Sequence, residues 1–236
     1  MSEEPPASLL THYNELAELA GSLAHEIKNP LSVIRMNMDL LAEDLSAEEA
    51  PRHHRARRRV EMVHQQCTRL ENLLNDFLKF ARVRHLDLVP GNLNEQIQAV
   101  LGLFESLADA QSVRVLPHLD NDLPRIMLDA ETLQAALVNL VKNALEAMPD
   151  GGDFTVITRI ARTGVALDLI DTGSGIDDRT ALHMFEAFYS TKEGGSGLGL
   201  PMARKIIEAH GGRIGIESAL GRGTKLTLEF PTPRRL

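Results

Sequence analysis

The stretch LAHEIKNPLSVI, Leu23–Ile34, decides how the first part of the chain is read. Leu23, Ile27 and Ile34 fall at helical spacing, yet Pro30 stands among them. A proline in a helix interior removes a backbone donor and kinks or breaks the helix. The pattern on either side shows a helix that continues. Leu16, Ala20, Leu23, Ile27, Pro30, Ile34, Met38, Leu41 and Leu45 recur at intervals of three and four. Val60, Val63, Cys67, Leu70, Leu74, Phe77 and Ala81 do the same. Such alternation marks a coiled-coil-like seam. Between the two runs, SAEEAPRHHRARRR carries Pro51 and reads as a turn leading into a second helix. The spacing predicts a helical hairpin, with Pro30 bending its first helix one turn below His25. Two helices bury too little surface alone, so two hairpins are expected to pair into a four-helix bundle, which predicts a homodimer.

Past the hairpin the rhythm changes. LVPGNLN, with the breakers Pro90 and Gly91, reads as a linker, giving domains over 1–88 and 89–236. LNEQIQAVLGLFESLADA and AETLQAALVNLVKNALEAM read as helices, and VRVLPHL and RIMLD as strands. DFTVITRIA and VALDLIDTG read as a strand pair, PMARKIIEAH as a helix, and GRIGIES and TKLTLEF as strands. Long helices with clustered hairpin strands indicate an α+β sandwich with a mixed sheet.

Composition narrows the function. Across 236 residues, 25 Lys and Arg face 33 Asp and Glu, a formal charge of −8 that argues against a nucleic-acid-coating protein. The basic run Arg52–Arg59 has no interleaved aromatics for base stacking and reads as a solvated hairpin end. One cysteine, Cys67, excludes an internal disulfide framework or a multi-thiolate metal site and fits a reducing, cytoplasmic setting. The N-terminus MSEEPPASLLTHYNELAELAG has neither the basic nor the apolar region of a signal peptide. No apolar run approaches the roughly 18 residues that span a bilayer, so no membrane segment is expected.

His25 lies off the seam and should project from the hairpin. A neutral imidazole, with a reference pKa of about 6.5, is a competent nucleophile near neutrality. As one ring nitrogen attacks, the other sheds a proton that the adjacent Glu26 is placed to accept. Asn29, one turn on, could orient a water on a docked partner.

In the second part, Asn139 and Asn143 share a helix face, and amide oxygens are acceptable ligands for Mg²⁺. Such a pair alone is common. In LIDTGSGI, Asp171 ends an apolar strand ahead of Gly173 and Gly175. A carboxylate there accepts from the exocyclic amine of adenine and repels the carbonyl of guanine, which favours ATP. GGSGLGL, with Gly195, Gly197 and Gly199, opens a helix whose N-terminal amides suit a triphosphate. It is neither a Walker A loop nor a dinucleotide fingerprint. Lys192 suits phosphate oxygens or an ordinary surface equally. LGRGT places Gly221, Gly223 and Thr224 between two strands.

Taken in order, these residues resemble the sensor histidine kinases of two-component systems, most of all the nitrogen-regulator type. HEIKNPL resembles the H box, NLVKNALEAM the N box and DTGSGI the G1 box. FEAFYSTK is similar to the F box, GGSGLGL to G2 and GRGT to G3. The resemblance runs from about Leu16 to Phe230. It implies a dimeric histidine-phosphotransfer hairpin followed by a Bergerat-type ATP-binding sandwich. It further implies that His25 takes the γ-phosphoryl of ATP and passes it to an aspartate in the receiver domain of a response regulator. Glu26 would be the general base, Asn143 the Mg²⁺ ligand with Asn139 assisting, and Asp171 the adenine reader. Gly195, Gly197 and Gly199 would hinge a lid. Glu26 and Asn29 match the E-x-x-N pattern of members that also dephosphorylate their regulator. Ala187 stands where the F box commonly has proline, and Pro201 where alanine often follows G2. A phosphatase-dominant member and a catalytically inactive dimeric scaffold are the alternatives; a chaperone- or topoisomerase-type ATPase would lack the HEIKNP hairpin.

Overall fold

The computed structural model describes residues 7–46, 52–82, 86–192 and 195–232, and of residues 7–20, 44–46, 52–54 and 81–82 the backbone alone. The chain divides into two compact units, Met1–Ala81 with Ser190–Ser196, and Arg82–Tyr189 with Gly197–Leu236.

The first unit holds helices α1 (Ala7–Ser46) and α2 (Arg52–Arg82). α1 continues through Pro30, which is buried. The missing N–H leaves the Glu26 carbonyl without its i+4 donor. Further along the helix, two side chains also bond backbone carbonyls: Ser32 Oγ donates to Lys28 O and Asn37 Nδ2 to Val33 O, each at 2.8 Å.

The seam expected on α2 divides in two. Val63, Leu70 and Phe77 lie on the covered stripe with Ala56, Gln66, Leu73 and Phe80. Val60 (54% exposed), Leu74 (49%) and Cys67 turn outward, and Met38 of α1 does likewise at 49%. A helix in a bundle must face more than one neighbour, so its apolar stripe is wider than one partner can cover. Leu16, Ala20, Leu45 and Ala81 have side chains outside the described residues, and the turn expected at Pro51 lies outside them too.

The second unit follows the predicted order, with two additions. β1 (Val89–Gly91) pairs antiparallel with β3 (Ile126–Leu128), so the segment read as a linker is a short strand. Pro90 is tolerated because a two-stranded ladder leaves each strand an open edge that needs no N–H. α5 (Asp178–His183), capped by Asp177, is too short to leave a periodic signal. The other elements are α3 (Leu93–Ala110), β2 (Val113–His118), α4 (Ala130–Glu146), β4 (Gly152–Ala161), β5 (Gly164–Asp171), α6 (Gly199–Ala209), β6 (Arg213–Ser218) and β7 (Thr224–Pro231). The five-stranded sheet has order β2-β4-β5-β7-β6, parallel between β2 and β4 and antiparallel elsewhere, as a mixed sheet requires.

Alternation along the strands sends Phe154, Val156, Val165, Leu167, Leu169, Leu226, Leu228 and Phe230 into the core, which they share with Leu133, Leu137 and Leu140 of α4 and Ile206 of α6. The opposite face carries cross-strand ion pairs. Arg114 faces Asp153 in register at 2.7 Å and Arg213 faces Glu229 at 2.7 Å, while Arg159 reaches Asp168 diagonally at 3.0 Å.

Asp129 starts α4 as its N-cap. Its Oδ1 accepts from Thr132 N at 3.0 Å and its Oδ2 from Asp87 N at 3.1 Å. Its own N–H donates to Nε2 of the buried His210, whose Nδ1–H is thereby left to donate to Ile206 O at 2.8 Å. The Thr132 amide, first among these donors, holds the Asp129 carboxyl below its ordinary range. A carboxyl lowered by folding contributes stability that is present above its unfolded value, about 3.9, and is lost as pH falls through the folded value. Asp129→Ala is therefore expected to cost about 1–2 kcal/mol at neutral pH. Chemical denaturation at a series of pH values should show that cost shrinking from about pH 4 downward.

Candidate functional site

The chemistry-bearing residues fall into two groups, one in each unit. On α1, His25 and Asn29 are exposed one turn apart. Glu26, though adjacent in sequence, is rotated onto the covered stripe, with its side chain 30% exposed. Its Oε2 lies 4.0 Å from Nη2 of Arg69 on α2. Glu26 therefore does not share the outward face of His25 and Asn29, because successive helical residues differ by about 100°.

In the second unit, β5 delivers Asp171 to the sheet's end, where it is 7% exposed. Its Oδ1 accepts from Gly173 N at 2.9 Å and Thr224 N at 3.2 Å, so one oxygen is committed to the protein. Burial pushes its carboxyl up, and the two backbone donors oppose that rise. The turns on either side interlock. Gly221 N donates to Ser174 O at 2.8 Å, and Ile176 N donates to Ser218 Oγ at 2.9 Å. Gly223 has a positive φ and passes so close that a Cβ would overlap the Asp171 carbonyl oxygen. Only glycine fits there. A concavity of about 220 Å³ beside this turn is lined by Asp171, Ser218, Arg222 and Thr224 among others.

The same loop is tied to α4. Ser174 N donates to Ala147 O at 3.1 Å, and Ala147 N in turn bonds Asn143 O one helical turn back. Asn139 and Asn143 are half-buried on α4. Asn139 also borders α6, where a Cβ placed on Gly199 would stand 3.2 Å from its Oδ1. Asn139, Asn143, Asp171, Gly173, Gly175, Gly199 and Thr224 are thus linked by α4, the Asp171 turn and the start of α6. Lys192 and Gly195 belong to the segment Ser190–Ser196, grouped with the first unit, where Gly195 N donates to Lys192 O at 3.2 Å.

At α6, Leu198 is the N-cap and no side chain caps the first amides. Such an arrangement receives anions at helix starts. Pro201 falls within the first turn, where its missing N–H has no intrahelical partner to lose. Its difference from the family pattern is therefore structurally neutral.

Spacing did not single out three residues that surround these groups. Phe188 adopts φ +66° and donates its N–H to Gly197 O at 3.0 Å. That backbone conformation is rare outside glycine. Gly197 has a positive φ of its own and no room for a Cβ, which would overlap the Phe188 carbonyl carbon. Arg204 of α6 stacks 5.6 Å over the Phe185 ring. Sequence does not foretell such a cation–π contact. Arg69 had a signal: it is a charge on an otherwise mostly apolar helical stripe.

A hairpin with an outward histidine, joined to an α/β sandwich with a buried aspartate at a glycine turn, defines a class of phosphoacceptor and ATPase modules. Residues 15–86 match the family described as His Kinase A (phospho-acceptor) domain. Residues 128–234 match the histidine kinase-, DNA gyrase B- and HSP90-like ATPases. The sensor histidine kinase ZraS of Escherichia coli (strain K12) is 32% identical over 216 residues, covering 92% of this chain and 45% of its own. The catalytic domain of histidine kinase ThkA is 33% identical over 62% of this chain and 97% of its own, with a TM-score of 0.57. ThkA in complex with the response regulator protein TrrA aligns over 95% of this chain and 65% of its own at 27% identity, with a TM-score of 0.73. Full-length ShkA in complex with AMPPNP gives 26% identity and a TM-score of 0.64 over 92% of this chain and 46% of its own. The chain belongs to the histidine kinases. It spans between 28% and 50% of the length of the curated relatives named first among its matches.

Proposed function

We propose that this chain is the ATP-dependent catalytic core of a cytoplasmic sensor histidine kinase. Residues 1–88 would be its phosphotransfer hairpin and 89–236 its nucleotide domain. The observation that carries the reading is Asp171: a buried carboxylate with one oxygen fixed by two backbone amides and the other left for a ligand donor. That is the arrangement adenine's amine needs. In the same unit, Asn143 on α4 offers an amide oxygen. Among the described residues no cluster of three His, Cys, Asp or Glu could hold a metal. This donor set fits Mg²⁺ that keeps waters and is shared with phosphates. When bound, such an ion would neutralise charge on the phosphates, and Asn143, with Asn139 on the same helix face, would hold it. The uncapped start of α6 suits the phosphate oxygens, and Lys192 adds a cation from its segment.

His25, exposed on α1, is the nucleophile, Glu26 the proton acceptor, and an aspartate of a response regulator receiver the final acceptor. The solved complex of ThkA with a response regulator supports that last step. The outward Val60, Leu74 and Met38 are apolar surface that a second hairpin would cover, which supports the homodimer. No helix among the described residues is long and apolar enough to cross a membrane. The test is incubation with γ-labelled ATP and Mg²⁺, followed by receiver domains: label should pass first to this chain and then to a receiver aspartate. Absence of any label on the chain would overturn the reading.

Asn29 would orient the water that hydrolyses the receiver's acyl phosphate. Asn29→Ala is expected to slow regulator dephosphorylation about tenfold or more, because a lost positioning contact misplaces the attacking water. Autophosphorylation should stay within about twofold, since Asn29 takes no part in that proton transfer. Equal losses in both assays would assign Asn29 elsewhere.

A further inference from the structure

On α1, the covered stripe between residues 23 and 41 consists of Leu23, Glu26, Ile27, Pro30, Val33, Ile34, Asn37, Leu40 and Leu41. Glu26 is the one charged residue in it. A carboxylate costs free energy in such a place unless a cation accompanies it. The cation is Arg69, whose Nη2 stands 4.0 Å from Glu26 Oε2, with side-chain exposures of 38% and 30%. On the facing stripe of α2, the other charged residues are Arg59 and Asp76, displaced from Arg69 by ten and seven positions. They stand about 15 and 10 Å along the axis at the helical rise.

The separation matters as much as the pairing. At 4.0 Å the contact is coulombic, and no hydrogen bond to the Glu26 carboxylate occurs among the described residues. Hydrogen bonding requires a closer approach. A forked, bidentate arginine would occupy the carboxylate's lone pairs. Here the guanidinium attracts the carboxylate and limits its rotamers while leaving its oxygens able to take a proton.

We propose that Arg69 is the positioning residue for Glu26, steering the base from the second helix without occupying it. This rests on the assignment of Glu26 as the base. In the reaction, a His25 ring nitrogen forms the N–P bond as the bond from the γ-phosphorus to the ADP oxygen breaks. The electron pair leaves on ADP, and the proton of the other ring nitrogen passes to Glu26. Arg69 fixes where that acceptor stands at the start of the step and touches neither nucleotide nor imidazole.

The test is a double-mutant cycle on initial rates of autophosphorylation in the full chain. Arg69→Gln is expected to lower kcat about tenfold, a part of the 10²–10⁴ that a positioned base contributes, with KM for ATP unchanged. Glu26→Gln alone should lower kcat about a hundredfold. Adding Arg69→Gln to Glu26→Gln should then change nothing, because there is no base left to position. Arg69→Lys, which keeps a cation at that place, should recover most of the rate. If Arg69→Gln loosens the hairpin, Arg69→Met, which retains the apolar stem, carries the same comparison. A merely structural arginine would give equal losses with and without Glu26→Gln, and that result overturns the proposal. So does a kcat unchanged by Arg69→Gln while Glu26→Gln slows the reaction. If Glu26→Gln itself leaves kcat intact, the assignment of the base fails, and the positioning role falls with it.

Discussion

Protein carrying His25→Gln is expected to take up no phosphoryl group from γ-labelled ATP. The loss should exceed about a thousandfold, because an amide nitrogen has no lone pair available for attack on phosphorus. The fold should be unaffected. His25 is exposed, and no hydrogen bond, ion pair or ring contact ties its side chain to another described residue. Substitutions at such positions change stability by less than about 0.5 kcal/mol. Nucleotide affinity should be equal to that of the parent protein, since Asp171, Asn139 and Asn143 belong to another unit. In the parent protein the adduct should be lost in acid and kept in base, the behaviour of a phosphorus–nitrogen bond. Undiminished labelling of the substituted protein would move the nucleophile to another residue, and a changed affinity for ATP would show that His25 also serves binding.

Asp171→Asn should instead strike binding. The Asp171 Oδ1 accepts from both Gly173 N and Thr224 N. An asparagine must keep its one oxygen on those amides, which turns its NH₂ toward the adenine amine and sets donor against donor. About a hundredfold loss of ATP affinity is expected, or ~2.7 kcal/mol. Calorimetric titration with ATP and with GTP measures it, and the preference for ATP should shrink as well. An affinity within twofold of the parent would remove Asp171 from adenine recognition. The acid dependence has a definite sign. Burial raises the Asp171 carboxyl, so the folded unit binds its proton more tightly than the unfolded chain does. Its contribution to stability is therefore favourable at low pH and is lost as pH rises through the raised value. ATP affinity runs the other way and falls as that proton binds. The Asp171→Asn protein, neutral at this position, should show neither trend and should unfold no more easily at neutral pH.

Much of the second unit was legible because its elements obey one clear period each. β4 alternates, and Leu133, Ala136, Leu137, Leu140, Val141 and Ala144 mark a helix face without ambiguity. The misreadings have physical causes. Pro90 and Gly91 are breakers in most settings, yet a two-stranded ladder asks little of a backbone donor. On α2, periodicity identified apolar positions without saying which neighbour covers each, so Val60 and Cys67 were placed on one seam with Val63 and Leu70. The ordered boxes marked the residues proposed for the nucleotide, since glycines with positive φ and an aspartate at a strand end leave marks in a sequence. Rotation about a helix leaves a fainter one. Adjacent letters placed His25 and Glu26 side by side, whereas geometry turns one outward and the other toward Arg69.

The order β2-β4-β5-β7-β6 leaves the sheet with two open borders, and each is poorly suited to templating another strand. β2 ends in Pro117 and His118, and a proline there denies an incoming chain a donor. β6 presents Arg213 and Glu217 around Gly215, charges and a flexible residue where a sticky edge would be flat and apolar. Both borders of the five-stranded sheet are thereby guarded against edge-to-edge pairing. Exposed apolar side chains stand elsewhere, Val60 and Leu74 on the hairpin and Leu103 and Leu182 on the second unit, so the surfaces open to association are side-chain patches and not the borders of this sheet.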